Sequence, residues 1–409
     1  MNDVSVKKKY FWNMMGSLCN AFSTVILLLV VNWILGNEAG GIFSFAYSNA
    51  QMLMIIGGLE VYPIQTTDVE EEYSFQTYFT LRIITCFLML FISICYIYIT
   101  HIEGERACVV LTFCVFKMIE SFVDVFGGMY QQNNRIDLTG KILSLRVAMS
   151  TISFIVILLI THDLLTGAIS MAITSLILFF IYDLRFLRFF PSASIGISLD
   201  KVWLLIKEVV PLFIAAFIMS YISNAPKYAI DTYCSDMLQN KYGILFMPAF
   251  VINLFSLFVF RPILVDMTEK WNRNDLDGVV CYIKRSVWFI VIITILCVVG
   301  GIIVGIPVLS FVYGVDLVGE RVVLGAVMVY GGFTAFSTYF YYVITVMRMQ
   351  KKMLVGYIVS FVLVTLAAPV LVKKFELLGA AMTSLIGVLS LDVIFAVIMI
   401  RALKTKLDR

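Results

Sequence analysis

The sequence predicts an all-α protein with twelve membrane-spanning helices, on three grounds: its composition, its recurring apolar runs and the placement of its cations. Hydrophobic residues make up 61% of the 409 residues and charged residues 14%, whereas soluble domains average about 45–50% and about 25%. Apolar runs recur from Phe11 to Ile400, and each span needs about 20 mostly apolar residues. Almost no sequence is left for a soluble domain.

Turn and charge signals divide the apolar stretches into twelve predicted spans. The first run follows three lysines and has no small-residue cleavage site, so we interpret it as a retained span and not as a signal peptide. The predicted spans are 11–35, 42–62, 79–100, 107–129, 142–160, 166–182, 208–226, 242–263, 286–310, 322–346, 353–372 and 378–400.

The placement of lysine and arginine indicates that both termini lie inside the cell. If the N-terminus is inside, the inside segments and span ends hold 23 of the 30 cations, the outside segments hold six, and Lys117 lies within the fourth span. Such an excess of cations is typical of cytoplasmic loops. One missed span would invert every later loop and destroy the bias, so we expect an even number of spans.

The twelve spans divide into two halves of six. We predict an N-terminal lobe at 1–190, a cytoplasmic linker at 191–207 and a C-terminal lobe at 208–409. Residues 131–140 and 347–356 occupy equivalent positions in the two halves and share a basic residue five positions before a glycine. Because six is even, the halves would have one orientation and a pseudo-two-fold axis along the membrane normal, an arrangement typical of transporters.

The fourth span contains three ionisable residues at helical spacing: Lys117, Glu120 and Asp124. Spacings of three and four residues place them on one helix face, at a depth where uncompensated charge is costly. Two interpretations stay open. The triad either joins this helix to a neighbour, or it lines a wet cavity in which Lys117 contacts a phosphate and an acid holds a coupling cation.

Candidates in the second half cluster around the seventh span. Asn224, Lys227 and Asp231 surround Pro226, which frees a backbone carbonyl and is expected to kink the helix. Lys227 and Asp231 are four residues apart and suited to pair.

Three further polar residues lie in the eighth and twelfth spans. Asn253 is a candidate substrate contact, and Arg261 either contacts substrate or extends its charge to the inner interface. Asp392 lies midway along the last span with no local partner, so we expect it to bind a coupling cation or to pair across helices.

Several classes of site are missing from the sequence. The eight cysteines form no CxxC pair and the two histidines lie in separate loops, so we expect no metal site. Nucleotide-binding, zinc-protease and serine-hydrolase motifs are absent, and we expect no cofactor, no enzymatic activity and no nucleic-acid partner. The longest predicted outer loop, 227–241, is only about fifteen residues, which argues against a membrane-embedded glycan polymerase or ligase.

Three stretches of the chain carry a resemblance to a known family: 65–82, 131–146 and 224–231, the last followed by Tyr242 and Gly243. They resemble the polysaccharide-export branch, the Wzx-type O-antigen flippases, of the multidrug/oligosaccharidyl-lipid/polysaccharide exporter superfamily. The resemblance extends over essentially the whole chain. It implies a two-lobed, twelve-helix exporter in the bacterial cytoplasmic membrane.

The resemblance also implies a cargo and partners. Such a protein would move an undecaprenyl-diphosphate-linked oligosaccharide from the inner to the outer leaflet by alternating access, driven by ion gradients or membrane potential. Membrane lipid, a polysaccharide polymerase and chain-length machinery would be its partners. A cation-coupled multidrug antiporter of the same superfamily is the alternative, and a glycan polymerase or ligase is the alternative from another class.

Overall fold

The computed structural model describes residues 6–68, 70–190 and 193–407, with the side chains of residues 6, 10, 250, 251, 253–266, 350 and 407 left out. Within these ranges the chain is helical and contains no β-strand, which confirms the all-α class. The helices are α1 (Val6–Leu35), α2 (Asn37–Gly58), α3 (Val61–Thr67), α4 (Phe75–Ile99), α5 (Gly104–Gln132), α6 (Ile136–Thr161), α7 (Leu164–Leu178), α8 (Leu184–Leu187), α9 (Val202–Tyr233), α10 (Asp236–Asn272), α11 (Leu276–Gly300), α12 (Ile306–Tyr313), α13 (Arg321–Val346) and α14 (Gln350–Leu407).

Short π-helical segments join helices that belong to single predicted spans. Phe179–Asp183 connects α7 to α8, and Gly301–Gly305 connects α11 to α12. Eight helical segments among the described residues are long and apolar enough to cross a membrane, or nine if the bent pair α2 and α3 forms one span. The protein is therefore a multi-pass membrane protein.

Four of the twelve predicted spans, the last two, the fourth and the eighth, are not separate segments in that count, and all four are helical. The last two lie within α14, where Glu376 has the non-helical angles φ 46° and ψ −121° and separates them. The fourth span is α5, whose Lys117, Glu120 and Asp124 make it more polar than the others. The eighth span lies in α10, part of whose side chains are outside the described residues.

The prediction of an outer loop at 227–241 is wrong. Helix α9 continues to Tyr233 and α10 begins at Asp236, so only Cys234 and Ser235 separate them. Lys227 and Asp231 are charged, but charge limits burial and not helix formation. The apolar run therefore ends before the helix does.

The chain divides into two compact units, Met1–Phe217 and Ile218–Arg409. The division lies within α9, and residues 202–207 of the predicted linker form the start of that helix. The assignment of lobes to 1–190 and 208–409 stays a prediction. Within the first unit α1 packs on α6, and within the second unit α13 packs on α10 and on α14.

Glycine permits the close crossing of α1 and α6. A Cβ atom on Gly140 would collide with the backbone of Trp12 and Asn13, and a Cβ on Gly16 would meet the Gly140 carbonyl oxygen at 2.9 Å. Small residues at such crossings let helix backbones approach closely in membranes.

Candidate functional site

Lys117 and Glu120 form a buried ion pair on α5. The Lys117 Nζ lies 2.6 Å from Glu120 Oε2, and the two side chains are 3% and 11% exposed. The ammonium also lies 4.6 Å from the centroid of the Tyr47 ring of α2, a distance at which a cation is attracted to the ring face. The predicted helical spacing thus brings these two charges together, and Lys117 is neutralised inside the first unit.

Asp124 pairs with a residue that the sequence interpretation did not select. Arg82 of α4 places Nη2 3.3 Å from Asp124 Oδ2, and its side chain is fully buried while that of Asp124 is 38% exposed. Arg82 Nη1 also donates to the Gly57 carbonyl at 2.8 Å and to Ser121 Oγ at 3.3 Å. The triad is therefore only partly neutralised on its own helix. Lys117 pairs with Glu120, whereas Asp124 pairs with Arg82 of α4.

A second buried arginine, which was not among the candidates from the sequence, lies in the same unit. Arg146 of α6 has Nη1 3.4 Å from Asp183 Oδ2, with side-chain exposures of 9% and 1%. The Tyr130 hydroxyl of α5 donates to Asp183 Oδ1 at 3.4 Å. A buried charge is tolerated when a partner and hydrogen bonds compensate its desolvation, so this pair ties α6 to the end of the sixth span.

The sequence positions of both arginines could have marked them as candidates. Arg82 and Arg146 each lie a few residues inside a predicted span, yet both were counted among the inside-facing cations. A cation inside a span boundary can either extend to the interface or be buried against an acid. The choice depends on which acid the neighbouring helix presents, and a single sequence does not show that.

The second unit holds the candidates on α9. Asn224 Nδ2 donates to the Ser220 carbonyl of its own helix at 2.9 Å. Lys227 Nζ lies 5.5 Å from the centroid of the Phe246 ring of α10. Lys227 and Asp231 are one helical turn apart and both partly buried. Asn253 and Arg261 fall on side chains outside the described residues.

Asp392 is buried in α14 with an incomplete set of hydrogen bonds. The Ser337 hydroxyl of α13 donates to Asp392 Oδ1, and Asp392 is 7% exposed. Its Oδ2 atom is buried and has no hydrogen-bond partner among the described residues. The expected partner across helices is therefore a serine hydroxyl.

The candidates thus fall into two groups. Lys117, Glu120 and Asp124 belong to a charged network of the first unit, whereas Asn224, Lys227, Asp231 and Asp392 belong to the second unit. Over the described part of the chain, no group of three or more His, Cys, Asp or Glu is placed to hold a metal ion.

No family model matches the chain. The capsular polysaccharide biosynthesis protein CapF of Staphylococcus aureus is 22% identical over 394 residues, which cover 92% of this chain and 94% of that protein. This likeness confirms the resemblance to polysaccharide-export proteins over nearly the whole chain.

Solved structures share the fold at low sequence identity. A multidrug resistance MATE family transporter of the MOP superfamily, in an inward-facing conformation, matches with a TM-score of 0.70 and 13% identity over 98% of this chain and 99% of that one. The lipid II flippase MurJ, in an inward closed conformation, matches with a TM-score of 0.65 and 13% identity over 96% and 92%. The likeness confirms the predicted fold class, and these two neighbours are a transporter and a flippase, not enzymes.

Proposed function

We propose that this protein is a flippase that moves an undecaprenyl-diphosphate-linked oligosaccharide from the inner to the outer leaflet of the bacterial cytoplasmic membrane. Alternating access would expose the cargo first to one side and then to the other. The likeness to CapF over 92% of the chain carries this proposal. The fold shared with a lipid II flippase supports it, because the cargo of that protein is also a lipid.

The charges of the first unit suit a diphosphate cargo. A phosphate group in a membrane protein needs cations that are held inside the spans, and Arg82 and Lys117 are buried there against carboxylates. We propose that Lys117 contacts the diphosphate by exchanging Glu120 for a phosphate oxygen. The exchange keeps the lysine paired throughout, which avoids the cost of a buried lone charge.

The acids would provide the coupling or the charge network of the transport cycle. Asp124 is the best placed for coupling, because 38% of its side chain is exposed although its partner Arg82 is fully buried. Glu120, Asp231 and Asp392 are the other acids that we propose for these roles. We also propose Asn224, Lys227, Asn253 and Arg261 as substrate contacts of the second half.

A second candidate function is cation-coupled drug export. The match to a multidrug transporter at a TM-score of 0.70 favours it over any enzymatic role. A drug antiporter would bind lipophilic cations and would leave surface polysaccharide unchanged when deleted.

Deletion of the gene separates the two functions. A flippase mutant should lose surface polysaccharide and accumulate lipid-linked saccharide in the inner leaflet, and a plasmid copy should restore both. Normal surface polysaccharide together with increased sensitivity to cationic dyes would reject the flippase proposal in favour of drug export.

A further inference from the structure

The second unit contains a cavity of about 230 Å³ that the proposed function leaves unassigned. Its lining includes Tyr341 and Tyr342 of α13 and Tyr357 of α14, together with the hydroxyl residues Ser337 and Thr338. All of these belong to residues 218–409, so the cavity lies within a single compact unit.

Aromatic rings at fixed angles form the cavity wall. The rings of Tyr341 and Tyr342 have centroids 5.6 Å apart at 72°, and the ring of Tyr357 packs edge-on against Phe395 at 5.6 Å and 87°. Tyr341 is 42% exposed, whereas Tyr357 is 9% exposed. The cavity therefore extends from the protein surface to buried side chains and presents ring faces and hydroxyl groups together.

An incompletely bonded carboxyl group adjoins this wall. Ser337 lines the cavity and donates its hydroxyl to Asp392 Oδ1, while Asp392 Oδ2 is buried and lacks a hydrogen-bond partner among the described residues. A buried acceptor without a donor costs free energy. Asp392 itself does not line the cavity, so it acts on a ligand only by orienting the Ser337 hydroxyl, whose oxygen can accept from a ligand hydroxyl group.

The lining and the size indicate one class of ligand. Aromatic faces pack on the C–H face of a sugar ring, and the serine, threonine and tyrosine hydroxyl groups of the lining can bond its hydroxyl groups. At about 230 Å³ the cavity has space for a sugar ring, since about 10–15 Å³ of such volume holds one water. None of the described residues that line the cavity is a cation, so a phosphate or a uronic acid would be buried there without a counter-charge.

We infer that this cavity is a subsite for one neutral sugar residue, a hexose or an N-acetylhexosamine, of the exported saccharide. The inference depends on the proposed function for its cargo and adds the kind of sugar and the place that holds it. Under the predicted orientation Tyr341, Tyr342 and Tyr357 lie near the inside ends of their spans. That is the side from which a lipid-linked saccharide would be loaded.

Saturation-transfer NMR on the purified full-length protein tests the inference with free N-acetylglucosamine, glucose and glucuronate as probes. Transfer to the two neutral sugars should exceed transfer to glucuronate. Tyr341→Ala and Tyr342→Ala should each weaken neutral-sugar binding by about fivefold, the size of one aromatic contact. Tyr98→Ala is the matched control, because Tyr98 is 81% exposed on α4 of the first unit.

A conservative set of variants separates ligand contacts from misfolding. Tyr341→Phe should keep most of the binding because the ring remains. Elution of each variant as the native species on size exclusion confirms its fold.

Three results would overturn the inference. The first is equal sugar binding by the Tyr341→Ala, Tyr342→Ala and Tyr98→Ala variants. The second is no saturation transfer to any sugar from the wild-type protein. The third is binding of tetraphenylphosphonium that depends on the tyrosines, without any sugar binding. The first leaves the proposed flippase function intact, since cells lacking the gene test that separately. The third favours drug transport instead.

Discussion

Arg82 is the cation that pairs with Asp124 in the first unit. It is fully buried, and it joins Asp124 of α5 to the Gly57 carbonyl of α2. Removing one partner of a buried ion pair leaves the other charge uncompensated, which is more destabilising than removing both. Arg82 therefore holds three helices through one side chain.

Replacement of Arg82 should destabilise the protein, and a second substitution should restore part of the loss. We expect Arg82→Met to lower the free energy of unfolding by about 3 kcal/mol, because Asp124 loses its cation. The double variant Arg82→Met with Asp124→Leu should regain a large part. Thermal unfolding of detergent-purified protein, followed by size exclusion, measures both. Equal stability of wild type and Arg82→Met would show that the pair contributes nothing.

Lys117→Ala should lower surface polysaccharide by about tenfold while the protein still accumulates in the membrane. Loss of one charge-assisted hydrogen bond to a phosphate, about 1.5–3 kcal/mol, accounts for an effect of at least that size. Quantitative immunoblots of polysaccharide and of tagged protein provide the measurement.

The structure supplies a sharper control, because Lys117→Ala also leaves Glu120 without its partner. The double variant Lys117→Ala with Glu120→Gln removes the unpaired charge. Export should stay low in the double variant if Lys117 contacts the diphosphate. Recovery of export would show that the pair only joins helices.

At the scale of helices, the spacing of charges along one helix was predictable and the pairing between helices was not. The separation of Lys117 and Glu120 by three residues predicted their proximity, and the structure shows it. The partners of Asp124 and Asp392 are Arg82 and Ser337 on other helices. Periodicity describes one helix at a time and contains no information on which neighbour it meets.

The ends of helices were likewise not predictable from hydropathy alone. The hydropathy of the seventh span ends near Pro226, yet α9 continues to Tyr233. The length of an apolar run reflects the thickness of the bilayer. The length of the helix is instead limited by turn residues and by capping groups. Ser235 is the N-cap of the next helix, α10, since its hydroxyl accepts from the Leu238 amide.

The crossing of α1 and α6 should not tolerate a side chain at its closest point. We expect Gly140→Ala to destabilise the protein by about 1–3 kcal/mol, the usual cost of overpacking, because the new Cβ meets the backbone at Trp12. Gly300→Ala is the matched control, since a Cβ there meets nothing within 4 Å. Thermal unfolding of the two variants should separate them, and identical midpoints would contradict the close crossing.

For the whole molecule, cysteine labelling tests the predicted orientation. Asn134 and Arg348 are exposed at helix ends, and in a background without the native cysteines, Asn134→Cys and Arg348→Cys should react only after a membrane-impermeant reagent gains access to the cell interior. His101→Cys, predicted outside, should react in intact cells. Labelling of either inside position in intact cells would contradict the arrangement.

The fold of the whole molecule was predictable from composition and cation placement, because a bilayer restricts the chain to spanning helices. The cargo was not, since the same fold matches a multidrug transporter and a lipid II flippase. Cargo choice depends on the side chains that line the transport path, and we propose Arg82, Lys117 and Asp392 as the charged residues that decide between anionic and cationic cargo.

Transport in proteoliposomes measures that choice most directly. The purified protein is reconstituted with a fluorescent undecaprenyl-diphosphate-linked saccharide, and a membrane-impermeant quencher reports the fraction that reaches the outer leaflet under an imposed ion gradient. We expect faster translocation than in protein-free vesicles, with a loss in Lys117→Ala and no acceleration of ethidium movement. Acceleration of ethidium with no effect on the lipid-linked saccharide would contradict the account.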